Sequence, residues 1–225
     1  MEVTRQITRV EQHAKKRSYY WIYLDGQEEA ELSLHEDILI KYRLLKGSMI
    51  EPNEMKAIAA ENSRYRAYAS AVFYAGFKMR TSKEMTAYLK RKEFEEAEIR
   101  YAIERLQQER IIDDSDYARM FAAQRLRSSG KGRMLIRQEL ERRGIHKETA
   151  GSTVQGLSED EERSAALKVA EKKWRSLKGE DRERRMKLTG FLLRRGFPGG
   201  LVRDIVRQVS ESAAEELEEG AWLDN

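Results

Sequence analysis

Leu140-Glu141-Arg142-Arg143-Gly144-Ile145 is the stretch that decides the fold. Ile136 and Leu140 sit four apart, as on one helix face; a basic pair follows, and then a glycine suited to the left-handed position that ends a helix. Ile145 can pack back on the last turn, and Ala150, Val154 and Leu157 begin a new helical stripe. The unit is therefore helix, tight turn, helix. It occurs three times with identical internal spacing. Met85, Leu89, Arg91, Lys92, Phe94, Ile99, Ile103 and Leu106 form the first copy. Leu188, Leu192, Arg194, Arg195, Phe197, Val202, Val206 and Val209 form the third. Copies begin 51 and 52 residues apart, a period that marks a repeat architecture whose units bury their apolar faces against neighbours.

The turn chemistry differs in one copy. Gly144 and Gly196 occupy the left-handed position in the second and third repeats, but Glu93 stands there in the first. Either that helix runs on or it ends with strain. A further helix precedes each motif: Arg64 to Phe77, Tyr117 to Leu126, and Ala165 to Trp174. Start signals agree. Pro52 suits a first turn, Thr81/Glu84 and Ser158/Glu161 have capping-box spacing, and Asp113 can cap a helix beginning at Asp114.

The N-terminus reads differently. Tyr19-Tyr20-Trp21-Ile22-Tyr23-Leu24 is aromatic and β-branched, and Asp25-Gly26 is a strong hairpin turn signal. Glu29 to Leu34 alternates, and Val3, Ile7 and Val10 suggest another strand. A helix is expected from about Glu36 to Lys46. A hairpin alone is marginal, so it packs on the first helices or offers its edge to another protein. The expected fold is mainly α: a tandem array of three three-helix repeats with a small N-terminal β-hairpin segment. Its parts are a β segment (1–34), a connecting helix and linker (35–53), repeats at 54–109, 110–158 and 159–210, and an acidic tail (211–225).

Composition narrows the chemistry. The 225 residues include no cysteine and three scattered histidines, so thiolate and His-based metal sites are not expected, and no cofactor is expected either. No stretch has the length of a membrane span, and the start lacks a secretory apolar core, which points to the cytoplasm. Glu211 to Asn225 holds six carboxylates and no base; without them the net charge rises from +4 to +10. That balance favours a polyanionic partner. The tail either solubilises the chain or competes with that partner for the basic surface.

Candidate contact residues are the repeated basic pairs Arg91/Lys92, Arg142/Arg143 and Arg194/Arg195, one pair per repeat. The competing reading is that they only complement helix C-termini. A second group is Arg125, Arg127, Lys131, Arg133 and Arg137, with Arg185 matching Arg133 one repeat on. Ser128-Ser129-Gly130-Lys131-Gly132 reads as a flexible basic loop, without the spacing of a nucleotide-binding P-loop. Asp113, Asp114 and Asp116 read as capping rather than metal binding. Lys172-Lys173-Trp174-Arg175 interleaves an aromatic with bases, but Trp174 falls on an apolar stripe and reads as core, as do Tyr117 and Phe121. No nucleophile and base are paired, so an enzyme is not expected.

Ile111-Ile112-Asp113-Asp114-Ser115-Asp116-Tyr117-Ala118-Arg119-Met120-Phe121, followed by Arg125, Gly130, Ile136, Glu139-Leu140 and Gly144-Ile145, resembles the central signature of the bacterial RecX family. Phe191-Leu192-Leu193-Arg194-Arg195-Gly196-Phe197 resembles its C-terminal signature, and the N-terminal hairpin resembles an extension of Gram-positive members. The resemblance spans roughly residues 55–210. It implies a regulator lying along the RecA filament on single-stranded DNA; the array itself is expected to work as a monomer, with the hairpin edge leaving self-association open. Such a regulator restrains strand exchange, ATP hydrolysis and the co-protease activity behind the SOS response. The alternatives from the residues alone are a general DNA-binding protein of tandem helical modules without a recombinase partner, or a plain helical adaptor.

Overall fold

In the computed structural model, residues 3–223 are described, with side chains as far as Glu215. The chain divides between Ile112 and Asp113 into two compact units. The first contains the strands β1 (Arg5–Gln12), β2 (Tyr19–Leu24), β3 (Leu32–His35) and β4 (Met49–Ile50). It also contains α1 (Glu36–Lys41), α2 (Pro52–Ala75), α3 (Ser82–Arg91) and α4 (Glu96–Gln108). The second holds α5 (Asp114–Ser129), α6 (Arg133–Arg142), α7 (Lys147–Gln155), α8 (Glu159–Ser176), α9 (Asp181–Arg194) and α10 (Gly199–Leu223). The mainly helical fold with three three-helix repeats is as the period predicts.

The sheet is larger than a hairpin. Its four strands run in the order β3-β2-β1-β4, and the β1–β2 and β2–β3 pairs are antiparallel. Asp25 and Gly26 both take left-handed φ (52° and 75°), as the turn signal requires. The Asp25 carboxylate also accepts from Arg5 Nε (2.7 Å) and the Gln6 amide (2.9 Å), joining the turn to β1. The expected helix to Lys46 stops at Lys41, because Arg43 turns left-handed (φ 48°) and Leu44 folds back into the core. β4 then pairs with β1, a strand too short to show in the sequence.

α2 starts at Pro52, as the start signal there indicates, ahead of the stripe read from Arg64, and serves two cores. Ile58 closes the sheet core with Ile7, Ile22, Leu24 and Leu34, while Ala67 and Ala71 pack against Met85, Leu89, Ile99 and Leu106 of the first repeat. The sheet therefore packs on the first long helix. Buried Asn62 fixes it there: its side chain accepts from the His35 amide (2.9 Å) and donates to Ser33 O (3.0 Å), pairing the otherwise open edge of β3.

The three turns are superimposable in their hydrogen bonding. Phe94 N donates to Leu89 O, Ile145 N to Leu140 O and Phe197 N to Leu192 O, at 3.3, 3.1 and 3.3 Å. Gly144 and Gly196 have φ of 93° and 85°. Glu93 has φ 62°, so the first helix ends with strain instead of running on. The cap signals also hold. Thr81 accepts from the Glu84 amide, Asp113 from the Ser115 and Asp116 amides, and Ser158 from the Glu161 amide.

Repeats two and three meet along a close seam. Gly132 N donates to Arg195 O (2.9 Å) and Met134 N to Gly196 O (3.0 Å). Neither glycine has room for a side chain: a Cβ on Gly132 would lie 2.4 Å from Gly196 O, and one on Gly196 would lie 2.3 Å from Leu135 N. Glu162, 1% exposed, accepts from the Arg133 amide (2.8 Å) and Arg133 Nε (2.5 Å). α10 continues through the segment read as an acidic tail; the reading of Glu216, Glu218, Glu219 and Asp224 as a mask lies outside the described side chains.

Candidate nucleic-acid interface

The two members of each repeated basic pair have different environments. Arg91, Arg142 and Arg194 are exposed at the ends of α3, α6 and α9. Lys92, Arg143 and Arg195 are the C-caps, and each lies over an aromatic ring. Lys92 Nζ is 5.9 Å from the Tyr88 centroid, Arg143 Cζ 5.0 Å from Phe121, and Arg195 Cζ 4.9 Å from Phe191. The second position thus stabilises the fold as well as carrying charge. Arg195 is also tied to the preceding repeat, donating through Nη1 to Ser129 O (2.7 Å) and Gly130 O (3.0 Å).

The second basic group is largely neutralised by carboxylates. Arg125 pairs with Glu139 at 3.2 Å and lies over Phe121; Lys131 bonds the same Glu139. Arg133 is committed to buried Glu162. Arg137 pairs with Glu141 (2.9 Å) and Arg185 with Asp181 (2.7 Å), both one helical turn away. Arg127 reaches Glu161 at 2.9 Å and stays 68% exposed. Such exposed pairs are worth little and can be exchanged for another anion.

The loop from Ser128 to Gly132 is held in place rather than flexible. α5 extends to Ser129, Gly130 caps it with φ 54°, and a Cβ on Gly130 would lie 2.4 Å from Val169 Cγ1. The glycines allow α8 and the α9 turn to approach closely.

That packing leaves a groove of about 470 Å³ beside it, on the second unit. Arg127, Lys168, Lys172, Lys173 and Arg195 line it together with Ser128, Ser129, Ser176 and Phe191, and no carboxylate lines it. Lys168 and Lys172 are exposed on α8, one turn apart, on the side opposite the buried stripe of Ala166, Ala170 and Trp174. Lys173 reaches over Phe191 at 5.7 Å. A concave strip of five cations, with the Ser129 and Gly130 carbonyls already bonded to Arg195, suits a chain of phosphates. The sequence reading missed Lys168; its signal was the i, i+4, i+5 spacing with Lys172 and Lys173. Trp174 is 4% exposed, and Tyr117 and Phe121 8% each, so all three are core.

Among the described residues, no group of three or more His, Asp or Glu side chains is placed to hold a metal ion. No helix among them is long and apolar enough to cross a membrane.

Three family models match in series: the first three-helix domain of RecX at residues 67–106, the second at 113–152 and the third at 159–206. Regulatory protein RecX of Oceanobacillus iheyensis is 30% identical over 91% of this chain and 77% of its own. Its counterpart in Bacillus cytotoxicus is 32% identical over 95% and 78%. Among solved structures, one described as regulatory protein RecX superposes with a TM-score of 0.76 at 27% identity, covering 89% of this chain and 98% of its own. RecX from Lactobacillus salivarius shares the fold with a TM-score of 0.63 at 23% identity, over 66% and 97%. With its three repeats matched in order and relatives aligned over nearly its whole length, the chain belongs to the RecX family of regulatory proteins.

Proposed function

We propose that this protein regulates the recombinase RecA stoichiometrically and without catalysis, by binding the RecA filament on single-stranded DNA. Binding restrains recombinase, ATPase and co-protease activity, and so tunes DNA repair and the SOS response in the cytoplasm. The observation that carries the reading is the carboxylate-free basic groove on a chain of the RecX family. Lys168, Lys172 and Arg127 engage phosphates there, while the exposed Arg91, Arg142 and Arg194 meet acidic filament surface or further phosphates. The caps Lys92, Arg143 and Arg195, and the carboxylate-paired Arg125, Lys131, Arg133, Arg137 and Arg185, hold the presenting surface and add to its field. The protein acts as a monomer.

The groove also supports a second reading, general DNA binding with no recombinase partner. Salt titration combined with ATPase separates the two. Each phosphate contact to a single strand contributes about 0.7 to the log–log salt slope. Lys168→Ala with Lys172→Ala is expected to lower that slope by about 1.4. A filament regulator inhibits RecA ATPase at protein concentrations that leave free DNA mostly unbound. A general DNA binder inhibits only where it covers the DNA.

A further inference from the structure

The face of the N-terminal sheet turned away from its core carries a row of rings. On β2, Ile22 and Leu24 point into the core and are essentially fully buried, so the alternate residues Tyr19, Trp21 and Tyr23 lie on the opposite face, partly exposed. Alternate residues on a strand stand roughly 7 Å apart. Each ring has its own planar or cationic partner. Arg9 stacks on Tyr23 at 3.8 Å, His13 on Trp21 at 5.1 Å and 26°, and Lys16 approaches Tyr19 at 5.7 Å. The turn beside them, Lys15-Lys16-Arg17, is exposed and wholly basic. Glu11, which accepts from Tyr23 Oη and pairs with Arg9 at 3.3 Å, is a carboxylate that the β1 register places in this row.

We propose that this face is a stacking platform for single-stranded nucleic acid. Bases lie on the ring row and on the planes of Arg9 and His13, and the Lys15–Arg17 turn takes the phosphates. Three physical features favour that occupant. Aromatic and guanidinium planes in a row accept any base, because every base has a π-face. A sheet offers them at a regular rise to an extended strand, which a duplex with its bases stacked inside cannot exploit. The basic turn Lys15–Arg17, added to Arg9 beside Glu11, disfavours a second copy of the same face and attracts a polyanion. The platform does not depend on RecA or on the groove of the second unit, so its fate and that of the proposed function are decided separately.

The test compares full-length protein binding to a fluorescent oligothymidylate and to an abasic oligodeoxyribose phosphate of equal length, without RecA. Both carry the same phosphates, but only one carries bases. The wild-type protein is expected to prefer the base-bearing strand by about tenfold or more, since one stacked base alone accounts for that much. Trp21→Leu with Tyr23→Leu keeps apolar, strand-compatible residues and should abolish the preference while leaving affinity for the abasic strand unchanged. Arg9→Ala with Lys16→Ala should weaken both. Equal wild-type affinity for the two strands would overturn the proposal whatever the variants do. An undiminished preference in a folded Trp21→Leu/Tyr23→Leu protein would overturn it too.

Discussion

Gly196→Ala is expected to damage the protein far beyond the usual cost of a left-handed alanine. Strain at φ 85° alone costs about 1–2 kcal/mol. The new Cβ would also lie 2.3 Å from Leu135 N and 2.9 Å from Leu135 Cα, both backbone atoms that no rotamer change can move. Relief requires α6 and the α9 turn to part, which stretches the bonds from Gly132 N to Arg195 O (2.9 Å) and from Met134 N to Gly196 O (3.0 Å). Each buried donor left unpaired costs about 1–3 kcal/mol. The sum is about 3–8 kcal/mol, most of it from the seam between repeats two and three. Urea unfolding followed by Trp174 fluorescence, with Trp21 and Trp222 replaced by phenylalanine, reports on this region, since Trp174 is buried in the third repeat. With a slope of about 2–3 kcal/mol/M, the midpoint should fall by at least about 1 M. A loss of under about 1 kcal/mol would refute the reasoning: it would mean the repeats part at little cost.

Three other outcomes are expected. Glu93→Gly, at the same turn of the first repeat, should stabilise by about 0.5–1 kcal/mol, because relief of the φ 62° strain exceeds the entropy that glycine loses on folding; thermal or urea melts would show it. Glu162→Ala should cost about 2–3 kcal/mol, less than a fully buried ion pair because the Arg133 side chain is 23% exposed and can rehydrate; the check is again the Trp174-detected midpoint. The Arg5 guanidinium and the Gln6 amide hold the Asp25 carboxyl below the usual carboxylate range. The contribution of this contact is therefore complete above the ordinary aspartate pKa and fades as pH falls through the lower folded-state value. NMR titration of Asp25 should give that depressed midpoint, and Asp25→Asn should remove this part of the acid sensitivity.

Much of the helical architecture could be read from short-range signals. The turns at Glu93, Gly144 and Gly196, the caps at Thr81, Asp113 and Ser158, and the apolar stripes depend on residues a few positions apart. What escaped depends on distant partners. Pro52 marks the start of α2, but the stripe of its first turns does not show, because Ile58 and Asn62 face a sheet formed by earlier residues, not their own repeat. β4 is two residues long and exists only through its pairing with β1. The candidate contact residues showed the same limit. The charges of Arg133 and Arg195 were visible, but Arg133 is bound to Glu162 29 positions away, and Arg195 to Ser129 O 66 positions away. Glycines 130 and 132 looked like flexibility and turned out to permit contact, a distinction that only the neighbouring backbone supplies. Lys168 gained its meaning from the groove wall formed by the α5 end and Phe191.

The most direct test of the account titrates this protein, and its Lys168→Glu/Lys172→Glu variant, against RecA hydrolysing ATP on single-stranded DNA. The account predicts inhibition by the native chain near one protein per few RecA subunits, with binding to the free DNA still slight, and clear weakening in the variant. Unchanged ATP hydrolysis at stoichiometric native protein would contradict it.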